Sequence, residues 1–580
     1  MLSQFSGITP LERTVSTLLG SGIFSDVIII AGDQQHSRYY AEVSRKTGAK
    51  LYIGDSDNLN FRMRNALMEN RYTEGNITRV NAENIFTLPL LLKTALDSHV
   101  ESSAQYTFHS GAPGGLAPDI VSISALKAIK DPGTPYYRSF RRADSGVAVN
   151  KIETGLNMEK TSFSALDYVS PILFEHLSKD LISIGIEDFL MRSREILKAL
   201  MKNPSSAGVR EINKKLNSIE TGLKLEHLHS MPVYLRVGVS SPCNLKCTTC
   251  TQQFTSFTEE EFNKTFGIGY RFWDTTFKRT ANGKYKKRGD YLTPEAFKRI
   301  ENLFFPYLSY CSFGLHGEPL LNKHLPDYIE TAKRHGIDTG LITNGTLLNE
   351  KVSRKLASGI LNNINISFDG AKKETFEKVR KGSYFDQVKR NISELSGMRE
   401  SGRGSLPAIS LAVTISTVNF RELPELVKIA PDIGADSIFV NYASTAPFMN
   451  REESLFGRMG EVSDIFEKTL EQAELSGIPV DLPRTTGKAE VPDNFCSIPW
   501  EQSSIFIGGR ATPCCLIAHK QDVAENDFQP VWNGDFYKNL RLSHAGKLPL
   551  IENCKNCADE KLRDVSNPSS FFLSAKSNPC

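Results

Sequence analysis

SPCNLKCTTC, residues 241–250, sets Cys243, Cys247 and Cys250 on one short loop directly after the apolar run VYLRVGV at 233–239. The run reads as a buried strand, because it is apolar on both faces rather than on alternate residues. Three thiolates on one loop can wrap three corners of an iron–sulfur cubane and leave the fourth iron open. An open iron lets a small molecule chelate it, as catalytic zinc sites keep one position open. Structural zinc usually takes four protein ligands in two pairs, whereas this loop supplies three at unequal spacing. An iron–sulfur cluster is the expectation; a zinc site or a set of buried thiols is the alternative.

Working outward, further strand candidates are YCSFGL (310–315), DTGLI (338–342), NINISF (363–368), AISLAVTI (408–415) and SIFVNY (437–442), with helical stretches between them. Thr293 and Pro294 open one helix as N-cap and first helical residue. Another runs from Pro326 to a terminating Gly336. With the strand before the cysteines, this alternation predicts six β/α units. A parallel, partial barrel follows, with its chemistry at the C-terminal strand ends.

Other motifs fall on those ends: GEPLL (317–321) after the second strand, TNGTLL (343–348) after the third, and ISFDGA (366–371) closing the fourth. Together with the cysteine spacing, they resemble the radical S-adenosylmethionine (SAM) superfamily over about residues 232–481. The resemblance implies that Gly317, Glu318 and Pro319 hold the SAM ammonium through their backbone. It implies that Arg380 pairs with the carboxylate and that Ser367 bonds carboxylate or ribose, with Asn344 and Asp369 as further SAM contacts. Glu318 as a plain salt-bridge partner and Asp369 as a helix cap are the structural alternatives. Relatives carry an aromatic or apolar residue just before the third cysteine, where this chain has Thr249. The implied chemistry is one-electron reduction of SAM by a 4Fe–4S cluster, giving methionine and a 5′-deoxyadenosyl radical that takes a hydrogen from the substrate. The cofactor carries that chemistry, and the protein orients the reactants and excludes water.

A second cysteine group comes later. Twelve residues separate Cys496 from Gly509, four more separate Gly509 from Cys514, and Cys554 and Cys557 form a CxxC pair. With GGRATPCC (508–515) and VWNGDFYKNLR (531–541), this resembles the SPASM module of many peptide- and sugar-modifying radical SAM enzymes. The full module holds two clusters; this chain has cysteines for one auxiliary 4Fe–4S cluster, on Cys496, Cys514, Cys554 and Cys557. Four ligands close such a site, which suits electron transfer. Four-cysteine zinc is the alternative. Cys514 and Cys515 compete for one place, and the glycine spacing favours Cys514. Cys311 and Cys580 read as structural or incidental.

Before the barrel, DVIIIAG (26–32) and AKLYIG (49–54) read as buried strands, each ending at a glycine, with a short helix closed by Gly48 between them. This rhythm predicts a mainly parallel sheet. TPLERTV (9–15), GDSDNLNFR (54–62) and APDIVSISALKA (117–128) resemble the cytidylyltransferases that activate acidic and spore-coat sugars. That family's phosphate loop precedes the LER helix and is expected to be missing. Its metal-binding aspartate is replaced in VNAENIF (80–86), where Glu83 is nearest and Asn81 stands beside it. A docking or scaffold role is expected in place of nucleotide transfer. Residues 160–225 read as a helical connector or as a decoration of this first domain.

At 580 residues the chain exceeds one hydrophobic core. The expected architecture is α/β throughout. It has a nucleotidyltransferase-like α/β sandwich at 1–155, a helical connector at 156–230, a partial (β/α)6 TIM-like radical SAM barrel at 231–482 and a small loop-rich iron–sulfur module at 483–580. A net charge of +3 is too mild for nucleic acid as main partner. No signal peptide is expected, and no apolar run approaches the ~20 residues of a membrane helix, so a cytoplasmic protein is expected. All ten cysteines lie at or after Cys243, in a setting where structural disulfides are not expected. Residues 278–288 hold Lys278, Arg279, Lys284, Lys286, Lys287 and Arg288 and no acid. With Tyr270, Phe272, Trp273 and Phe277 this insertion reads as a basic lid over the site or as a solvated loop. His316 reads as a packing residue.

The functional expectation is a radical SAM enzyme that modifies a peptide or protein side chain. It would use SAM, a catalytic and an auxiliary 4Fe–4S cluster, and an electron donor such as flavodoxin or ferredoxin. A sugar or nucleotide-linked sugar is the alternative substrate, and a non-enzymatic zinc scaffold the alternative class.

Overall fold

The computed structural model describes residues 8–554 except 33–34, 55–57, 83, 85, 114–115, 117, 130–134, 142–145, 155, 157–185, 203–207, 255, 267–276, 401–405, 444–452, 456, 484–495, 515–516, 518–520, 524–526 and 552–553. Cys515, Cys557, Cys580, Glu83, Tyr270, Phe272 and Trp273 therefore lie outside the described residues. The chain divides into two compact units, Met1–Leu223 and Lys224–Cys580.

The second unit is built on one ten-stranded sheet. Its first six strands along the chain are Tyr234–Val237, Tyr310–Phe313, Asp338–Thr343, Asn363–Ser367, Ala408–Ile415 and Ser437–Tyr442. They lie side by side in chain order and all run parallel, as the apolar runs predict. Helices bury one face of this sheet: Leu235, Val237, Phe313, Leu341, Ile366, Leu411 and Val440 belong to a single core with Phe304, Ile329, Val388 and Leu426. Each such side chain contributes about 1.5–3 kcal/mol by leaving water. The helix signals hold as well. Thr293 accepts a hydrogen bond from Ala296 N–H at 3.3 Å, with Pro294 as first residue of Pro294–Phe304.

The sheet continues past the barrel. Gln502–Phe506 pairs parallel with the first strand, from Gln502 opposite Tyr234 to Ile505 opposite Val237. It then turns back antiparallel into Arg510–Thr512. Gly508 and Gly509 make that turn at φ 97° and 77°, a left-handed backbone that favours glycine. The VWNGDFYKNLR stretch forms the helices Gln529–Trp532 and Asp535–His544. Its Trp532 indole donates to Ser230 O at 2.9 Å, and Asn533 Nδ2 donates to Leu228 O at 2.8 Å. These bonds clamp the C-terminal segment onto the chain that leads into the first barrel strand.

The first unit contains the expected parallel pair, Ile28–Ala31 with Lys50–Ile53, and the intervening helix ends at a left-handed Gly48. Its larger sheet is mixed rather than mainly parallel. Tyr106–Ser110 runs antiparallel to Ile120–Ser122 and parallel to Val149–Glu153. The loop between the first two holds no described helix, and a short direct return produces antiparallel pairing. Helices Ile186–Lys202 and Val209–Gly222 pack Phe189, Leu197, Ile212 and Leu216 against Phe86, Leu88 and Leu116. Both helices fall within the first unit.

Candidate active site

The three-cysteine loop leaves the first barrel strand at its C-terminal end and is bound to the loops of its neighbours. Glu318 N–H donates to Pro242 O at 2.9 Å, tying the GEP loop to the residue before Cys243. A side chain at Gly317 would place its Cβ 2.5 Å from both Ser240 O and Pro242 O, and φ there is +70°. Only glycine lets these two loops meet. On the far side, Thr248 N–H donates to Val379 O and Lys246 N–H to Lys381 O, so the loop also rests on the segment that carries Arg380.

Each cysteine sulfur has a donor aimed at it. Leu245 N–H lies 3.4 Å and Asn344 Nδ2 3.8 Å from Cys243 Sγ. Arg380 Nη1 lies 3.9 Å from Cys247 Sγ, and Gln252 N–H lies 3.5 Å from Cys250 Sγ. Burial pushes all three thiols up, and each sulfur feels the charge of another in the set. Among the described residues no three His, Cys, Asp or Glu side chains close on a point as one metal ion requires. Three thiols on one braced loop, each with a donor near its sulfur, suit a cluster of thiolates, whose charge those donors would stabilise.

Glu318 faces inward. Its carboxylate accepts from Leu320 N–H at 3.1 Å, Thr343 Oγ1–H at 2.6 Å and Asn344 N–H at 2.8 Å. It straps the second strand's loop to the third strand's end, and burial raises its pKa. Asn344 Nδ2 also donates to Asn244 Oδ1 at 2.9 Å, beside Cys243. Asp369 does not cap the next helix: Oδ1 accepts from Thr414 N–H at 2.7 Å and Oδ2 from Arg380 Nε at 2.8 Å. Ser367 is half-buried at the end of the fourth strand. Pro319, itself buried, begins a single turn after the GEP loop. Hydrogen bonds link Glu318, Asn344, Asp369 and Arg380 to one another's segments and to the cysteine loop; Ser367 and Pro319 lie on the strand ends beside them in sequence.

His316 stacks on Phe506 with ring centroids 5.5 Å apart, the packing role expected of it. Cys311 is fully buried within the second strand. In the C-terminal group, Cys496, Cys514 and Cys554 are half-buried, and His544 Nε2 lies 3.4 Å from Cys554 Sγ. Sequence reading missed His544; it closes the VWNGDFYKNLR helix ten residues before the cysteine, with no motif marking it. It also missed the strap made by Thr343 and Asn344.

A family model described as the radical SAM superfamily matches residues 238–441, and one described as an iron–sulfur cluster-binding domain, SPASM, matches 496–558. The matched ranges hold both cysteine groups. The domains account for the cofactors: SAM and a 4Fe–4S cluster in the first, iron–sulfur in the second. A tungsten-containing aldehyde ferredoxin oxidoreductase cofactor-modifying protein of Pyrococcus furiosus is 24% identical over 356 residues, 57% of this chain and 88% of that one. SuiB of Streptococcus suis, solved with S-adenosylmethionine, is 15% identical, with a TM-score of 0.43 over 64% of this chain and 80% of that one. A cytidylyltransferase from Leptospira borgpetersenii is 14% identical, with a TM-score of 0.29 over 35% of this chain and 86% of that one. No helix among the described residues is long and apolar enough to cross a membrane.

Proposed function

Because this chain is a radical SAM enzyme with a C-terminal SPASM iron–sulfur domain, we propose that it modifies a peptide or protein side chain by hydrogen abstraction, assisted by an auxiliary 4Fe–4S cluster. The observation that carries this reading is the loop of three cysteines, braced at the C-terminal ends of the sheet with a hydrogen-bond donor on every sulfur. A cluster on those thiols with SAM on its open iron supplies the reducing electron and the abstracting radical. The residues of the chain do the rest. Cys243, Cys247 and Cys250 anchor the cluster. The backbone of Gly317, Glu318 and Pro319 accepts the SAM ammonium, with the Glu318 side chain holding that backbone rigid. Arg380 meets the SAM carboxylate from its ion pair with Asp369, and Ser367 and Asn344 line the neighbouring strand ends. Cys496, Cys514, Cys554 and Cys557 hold the auxiliary cluster, fed by a flavodoxin- or ferredoxin-type donor.

The peptide reading rests on the auxiliary domain, whose first strand is hydrogen-bonded to the barrel strand that leads into the cysteine loop. The test uses reconstituted protein, SAM, reductant and extracts of cells grown with deuterated nutrients, split into peptide and small-molecule fractions. Deuterium should enter 5′-deoxyadenosine with the peptide fraction. Transfer only from the sugar-containing small-molecule fraction would replace this reading with sugar modification.

A further inference from the structure

The described residues of the insertion after the cysteine loop form a folded unit rather than a solvated loop. Ser256–Phe257, Tyr285–Lys287 and Phe277–Arg279 form a three-stranded antiparallel sheet with Tyr285–Lys287 at its centre. Phe257, Phe262 and Phe277 form its own small core, with Phe254 and Tyr285 packed against it. Tyr285 stacks on Phe262 at 4.0 Å between centroids. The insertion also holds the leading edge of the cysteine loop, since Ser241 N–H donates to Asp290 O at 2.9 Å and Ser240 bridges to Tyr291.

Its basic residues divide by where they point. Lys278, Lys284 and Lys286 are exposed. Arg279 pairs with Glu259, and Arg288 with Asp290. Lys287 alternates with Lys286, stands opposite Phe277 and shares a strand face with Tyr285. Its Nζ donates to Gln252 O at 2.8 Å, two residues past Cys250. There the ammonium is partly withdrawn from water and lies in the field of Cys243 and Cys250. Lys246 is the like charge nearby, and Arg380 stands over the remaining cysteine, Cys247.

We infer that the insertion is a strap for the catalytic cluster, and that Lys287 is a positioning residue which holds the cysteine loop shut and places a fixed positive charge beside the cluster. This inference rests on the radical SAM reading above. A cation held in a partly dry site favours the state with one more electron, so it raises the cluster's reduction potential. The bond to Gln252 O closes the loop's trailing edge, which slows loss of iron.

The test is anaerobic reconstitution of the full chain with redox titration followed by electron paramagnetic resonance, reading the signal that changes when SAM is added. Lys287→Met should shift the midpoint of that signal to more negative potential and speed iron loss to a chelator several-fold. Lys287→Arg should restore both. Lys287→Gln, which keeps a donor for Gln252 O but no charge, should show the lowered potential with slow iron loss. Lys286→Met, on the exposed face, should match the unaltered chain. A wild-type midpoint in both Lys287→Met and Lys287→Gln overturns the inference. An unaltered chain without a SAM-responsive cluster overturns the inference and the radical SAM reading together.

Discussion

Arg380 shows how one side chain serves two masters. Its Nε is held by Asp369 at 2.8 Å, and its Nη1 lies 3.9 Å from Cys247 Sγ. The net negative surroundings raise its pKa despite burial. A guanidinium fixed in this way is aimed before SAM arrives, so less freedom is lost when a carboxylate binds. Arg380→Ala should weaken SAM binding by about 1.5–3 kcal/mol, roughly ten- to hundred-fold. Equilibrium dialysis against the loaded protein measures it, and an unchanged Kd would remove Arg380 from the SAM site. The cysteines were legible because their spacing is local. The work of Glu318 was not, since its partners Thr343 and Asn344 lie some 25 residues on and no periodicity links them.

At the scale of elements, the six barrel strands were legible to within one or two residues, because buried parallel strands leave near-continuous apolar runs. The C-terminal segment was read as a small loop-rich module from its cysteines and the GGRATPCC and VWNGDFYKNLR stretches, and its continuation of the barrel sheet was not anticipated. Trp532, Tyr537 and Arg541 are fully buried, and Arg541 stacks 4.5 Å over the Trp532 ring. Arg541 also donates to Pro499 O at 2.9 Å and Glu226 O at 3.0 Å. Arg541→Met would keep most of the volume but strand both carbonyls and lose the cation–π contact. The cost should be at least about 2 kcal/mol of stability for this unit. Denaturant unfolding followed by tryptophan fluorescence checks it, and an unshifted midpoint would show the clamp to be dispensable. The insertion was legible as a basic run with aromatics beside it; the core formed by Phe257, Phe262 and Phe277 depends on pairings between strands too short to announce themselves.

Across the whole molecule, the central claim is a division of labour between two cysteine groups. The first lies on the loop that the GEP and Arg380 segments brace; the second lies on a segment that extends the same sheet. Two four-iron clusters should give about eight iron atoms per reconstituted chain, and alanine at Cys243, Cys247 and Cys250 should remove about half. The α/β alternation announced the barrel, while the mixed sheet of the first unit escaped because strand direction depends on connections that residue pattern does not encode. The most direct measurement is 5′-deoxyadenosine formation from SAM and reductant without substrate, at matched iron loading of the first site. The chain, and its Cys554→Ala/Cys557→Ala variant, should both form it slowly, while Cys243→Ala should not. Loss of formation in the folded double variant, with retention in Cys243→Ala, would show that the two clusters are assigned the wrong way round.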